Sequence, residues 1–141
     1  MQSLKSVLFF AAVSATLIAG ILGSVLLLQN HRKQLAVEAK AEIARRLETG
    51  RVEIPYGKAS IEFRKFASSA ITRATLNYSH EDTEHDGNCG CDLTILMPSQ
   101  STYAFICLDR ALVGNSWYSI KWRGDDMVAL LKHAHACSAE E

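Results

Sequence analysis

The chain has no ionisable side chain between Lys5 and His31, and no proline before Pro55. The first absence leaves nothing in that stretch that would have to be neutralised or paired away from water. The second leaves nothing to break a helix over the first third of the molecule. Other absences bear on chemistry. There is no G-x-S-x-G elbow, no phosphate-binding G-x-x-x-x-G-K-[ST] loop and no H-E-x-x-H pair, so the nucleophilic, nucleotide and zinc-protease signatures are missing. No catalytic residue is assigned, and no cofactor is called for. Charge of one sign is also missing, because 15 basic and 15 acidic residues cancel. Without a basic excess the chain has no field for nucleic acid.

What fills the uncharged stretch is an apolar run over residues 7–28, VLFFAAVSATLIAGILGSVLLL. A bilayer core of about 30 Å takes about 20 apolar helical residues, so this run predicts an uncleaved transmembrane helix. A cleaved secretory signal is the rival reading. Lys5 supplies its charged start, and Ala12-Val13-Ser14-Ala15 loosely fits a cleavage site. The apolar run continues past Ala15 to Leu28, longer than a cleaved signal requires, which favours the anchor. Within the run Ala12, Thr16, Gly20 and Ser24 recur every four residues beside Ala15, Ala19 and Gly23. These small residues share one helical face, the kind on which helices approach closely in lipid. The partners implied are membrane lipid and other membrane subunits, or a second copy of the chain.

Residues 29–48, QNHRKQLAVEAKAEIARRLE, continue without proline or glycine and are rich in good helix formers. Leu35, Ala39, Ile43 and Leu47 recur at spacing four, Glu42 can pair with Arg46, and Thr49-Gly50 ends the helix. The first fifty residues carry six basic and three acidic groups, and the remainder nine and twelve, giving +3 and −3. Arg32, Lys33 and Lys40 lie where anionic head groups would meet them.

After Gly50 the hydrophobic period becomes two. Strands are expected around Val52–Tyr56, Ala59–Arg64, Ala74–Tyr78, Cys91–Met97, Tyr103–Leu108 and Trp117–Trp122. Pro55-Tyr56-Gly57, Pro98-Ser99-Gln100-Ser101 and Gly114-Asn115-Ser116 mark turns. Pro55 would confine the first strand to an edge. The run from Tyr103 to Leu108 is apolar on both faces, which predicts a central strand. Asp125 or Asp126 can cap a short helix over residues 127–135. The fold class expected is therefore α+β. Residues 1–6 form a tail and 7–28 a transmembrane helix. Residues 29–50 continue as an amphipathic helix, and 51–141 make a small antiparallel sheet domain with a short carboxyl-terminal helix.

The densest polar stretch is HEDTEHDGNCGCD, residues 80–92. It reads first as a solvated loop. His80, His85, Cys89 and Cys91 are also zinc-type ligands, with His133, His135 and Cys137 near the other end, although a helix would point those three apart. Asp82, Glu84, Asp86, Gly87 and Asn88 echo a calcium loop, but its twelfth position would fall on Leu93 instead of a glutamate. Cys89, Cys91, Cys107 and Cys137 are disulfide candidates, with Cys107 expected to bond Cys137 or one of the Cys89/Cys91 pair. A thiol-redox pair at Cys89 and Cys91 is a further alternative.

An even cysteine count suits an oxidising compartment, whereas the charges at residues 32, 33 and 40 favour keeping that side in the cytoplasm. The balance places the carboxyl-terminal domain outside the cytoplasm. These features predict a non-enzymatic, single-pass envelope protein serving as a structural or accessory subunit of a membrane assembly. A membrane-tethered metal or thiol-redox domain is the alternative. The layout also resembles a type IV pilin or pseudopilin, with residues 7–48 as the packing helix and Cys107/Cys137 as the carboxyl-terminal link. That resemblance implies a filament subunit. The chain departs from the family in having no Gly before the apolar run and no Glu within its first residues.

Overall fold

The computed structural model describes residues 3–55, 57–81, 93–99 and 104–137. It contains α1 (Leu4–Thr49), β1 (Glu53–Ile54), β2 (Gly57–Lys58), α2 (Ile61–Arg73) and β3 (Thr75–Glu81). These are followed by β4 (Thr94–Leu96), β5 (Ala104–Cys107), β6 (Arg110–Val113), β7 (Ser116–Lys121) and α3 (Asp126–Ala136). The chain divides into two compact units, Met1–Gln34 and Leu35–Glu141. Three helices and an antiparallel sheet make the fold α+β, as the hydrophobic periods predict.

The first unit is helix throughout its described length from Leu4. Nothing in its proline-free sequence interrupts the ladder. In the second unit α1 continues to Thr49, and the Gly50 N–H closes it by donating to the Arg46 carbonyl at 2.8 Å. Ala36, Ala39, Ile43 and Leu47 are buried there. The stripe seen in the sequence is therefore the face α1 turns to the domain core.

The seven strands run in the order β2-β1-β4-β5-β6-β7-β3, every neighbouring pair antiparallel. All four residues of β5 are buried and the strand lies fourth of seven, so the two-sided apolar run is indeed central. Its alternation separates two clusters. Ala104 and Ile106 join Ile95, Ala111, Tyr118 and Ile120 in the main core with the helices. Phe105 and Cys107 join Leu112 and Trp117 on the opposite face.

Three expectations are corrected. The stretch Ala59–Arg64 is not a strand, because α2 begins at Ile61. Ser60 is its cap, accepting from the Phe63 N–H at 3.0 Å. Phe63, Ala67, Ala70 and Ile71 are buried on one side at helical spacing. A six-residue window fits both periods, and the apolar positions beyond it decide for the helix. Pro55 does not hold β1 at an edge. It falls in the turn just past the ladder, where its missing N–H costs nothing, and β1 takes β4 as a second neighbour. The run ending at Leu108 is shorter than expected and is followed by β6, a strand the sequence reading lacks. Leu108 adopts φ 44°, turning the chain so that Cys107 pairs with Arg110. Trp122 Nε1 donates to the Leu108 carbonyl at 2.6 Å, holding this uncommon conformation in place. Two expected turns hold: Ile54 pairs with Gly57, and Val113 with Ser116 around Gly114 at φ 63°. Gln100 and Ser101 of the third lie outside the described residues.

Replacing the α2 cap, Ser60→Ala, is expected to lower stability by about 1 kcal/mol. Phe63→Ala, which empties a fully buried site, is expected to cost ~3–5 kcal/mol. Urea titration of the detergent-solubilised chain, followed by the fluorescence of Trp117 and Trp122, measures both.

Candidate functional site

The apolar surface of α1 is the most conspicuous feature of the first unit. α1 is the one described helix long and apolar enough to cross a membrane, and its most apolar stretch is not buried. Phe9 is 66% exposed, Phe10 69% and Leu27 72%. Ala12, Ala15, Thr16, Ala19, Gly20, Gly23 and Ser24 lie along one side, as helical spacing requires. A methyl group added at Gly20 or Gly23 would meet no atom within 4 Å. The hydroxyls on this side do not project. Thr16 Oγ1 donates to the Ala12 carbonyl and Ser24 Oγ to the Gly20 carbonyl, each at 2.9 Å. Such back-bonding satisfies the donors inside the helix, which a hydrocarbon surrounding demands.

In the second unit, cations are drawn onto backbone carbonyls. Arg46 is only 3% exposed, bonding Glu42 Oε1 at 2.7 Å and the Met97 carbonyl at 3.0 Å. Lys40 Nζ donates to the Ala74 carbonyl, at the end of α2, at 2.6 Å. Arg64 on α2 donates to the carbonyls of Leu47, Glu48 and Gly50, capping the end of α1. Ser68 Oγ adds a bond to Glu48 Oε1 at 2.9 Å. Hydrogen bonds from Arg45 and then Arg46, aided by their charges, hold the Glu42 carboxyl down from 4.5 to about 2, against the opposing effect of burial. These groups fasten elements of the second unit together.

The far face of the sheet carries an aromatic cluster. Phe105 meets Trp117 edge to face at 5.3 Å, His80 stacks on Trp117 at 6.3 Å, and the Arg110 guanidinium lies 5.0 Å above the indole. A cavity of about 240 Å³ opens beside Ser79, His80, Asp109, Arg110 and Ser119. Burial pushes the Tyr118 phenol above its ordinary pKa. A larger groove of about 460 Å³ lies along Glu48, Ile61, Arg64, Lys65 and Ser69.

Of the metal candidates, His80 lies on β3 and contacts Ser79 Oγ through Nδ1 at 2.9 Å. His85, Cys89 and Cys91 lie outside the described residues, as do Asp82, Glu84, Asp86, Gly87 and Asn88 of the calcium echo. Among the described residues no three His, Cys, Asp or Glu side chains form a group that could hold a metal ion. His133 and His135 are helical; His133 stacks on Phe66 at 4.5 Å and His135 is exposed. Cys137 is a free, buried thiol near Ser60 Oγ and the His133 carbonyl. This corrects the Cys107–Cys137 pairing, because Cys137 closes α3 inside the helix-side core while Cys107 points to the other face of the sheet. The pairing of Cys107 with Cys89 or Cys91 involves residues outside the described set.

The sequence reading missed the anchoring roles of Lys40 and Arg64, although Arg64 sits on the segment misread as a strand. It also missed the stacking of His80 on Trp117, for which cross-strand register is needed. No family model, curated protein or solved structure matches the chain.

Glu42→Gln is expected to destabilise the chain near neutral pH. A depressed carboxyl stabilises the fold above its unfolded pKa and loses that contribution as pH falls toward the folded value. The difference between the native chain and the variant should therefore be full above about pH 5 and close as pH approaches about 2. Denaturation midpoints across that window measure it.

Proposed function

We propose that the chain is a single-pass membrane-anchored envelope protein and a non-enzymatic structural or accessory subunit of a membrane assembly. One observation carries the reading: the exposed apolar surface over the first turns of α1, on which even the hydroxyls of Thr16 and Ser24 are turned back onto the helix. Lipid satisfies that surface, and a neighbouring helix fits its small side, where Gly20 and Gly23 leave room. In the second unit Lys40, Arg46 and Arg64 are committed to carbonyls, which supports a structural role. The sheet unit is assigned to the extracytoplasmic side, with Cys107 oxidised onto Cys89 or Cys91 and Cys137 left as a buried thiol. The pilin-like alternative draws on the same order of elements, a long helix followed by a sheet.

The chain should stay with bilayers through an alkaline carbonate wash and run as an oligomer or with a co-purifying subunit in mild detergent. Gly20→Leu with Gly23→Leu should reduce that association while leaving membrane retention intact. Release by carbonate, or a strict monomer without a partner, would overturn the proposal. An impermeant thiol reagent applied to each side after reduction reads the orientation, and electron microscopy separates filaments from closed assemblies.

A further inference from the structure

We draw no further inference here: the strongest candidate, the groove along the end of α1 and the outer side of α2 lined by Glu48, Ile61, Arg64, Lys65 and Ser69, carries nothing because nothing in the structure shows what covers it.

Discussion

Apolar surface has to be kept from water, and α1 concentrates that demand. Each large apolar side chain left in water forfeits about 1.5–3 kcal/mol. Leu8, Phe9, Phe10, Leu17, Ile18, Ile21, Leu22, Leu26 and Leu27 are all exposed along the first part of α1. Together they forfeit a sum comparable to the ~5–15 kcal/mol that a folded domain has to spare. A helix with such a surface can form, since its backbone groups bond internally, but it needs an apolar surrounding. The same internal bonding lets a helix enter lipid and serves Thr16 and Ser24, whose hydroxyls extend it to their side chains.

Farther along α1 the demand is met by protein. The buried stripe Ala36, Ala39, Ile43 and Leu47 is modest in area, two of its four members being alanine. Polar contacts supplement it at defined points. Lys40 binds the carbonyl at the end of α2, Arg64 of α2 binds the carbonyls at the end of α1, and Arg46 reaches Met97 beyond β4. Each cation sits where a helix or strand end leaves an acceptor unmatched, so each contact also satisfies a group whose orphaning would be costly. The exchange between α1 and α2 is reciprocal and fixes their register. Lys40 is held in this way, and Arg32 and Lys33 lie just past the apolar run.

Much of this was legible in the sequence because it depends on period and on breakers. The course of α1 to Thr49 follows from residues 6–48 lacking any proline, with Gly50 just past the end. The central position of β5 follows from apolar residues on both sides of Ala104–Cys107. The α2 error has a physical cause. Ile61 and Phe63 alternate as a strand would, yet Ile61 is exposed and only Phe63 is buried. The cap at Ser60 was a signal available for the helix. β6 was hidden because Leu108, a residue that seldom takes positive φ, makes the turn and is held there by Trp122. The anchors at Lys40 and Arg64 depend on carbonyls that long-range packing brings near, and no local pattern records that.

The cysteines show how one position alters a compartment argument. Four thiols in a small domain suggest two disulfides, and two disulfides suggest an oxidising environment. Cys137 leaves that set, closing α3 with its sulfur buried against Ser60 and the His133 carbonyl. Three cysteines remain, enough for one bond and one thiol. Burial shields Cys137 from oxidants and from exchange, so a lone thiol there is compatible with either side of a membrane. The case for an extracytoplasmic domain thus narrows from a count of cysteines to one link, that of Cys107 with the Cys89/Cys91 pair. Against it stand Arg32 and Lys33 beside the apolar run. The oxidation state of Cys107 therefore weighs more on the topology of the chain than any other single group.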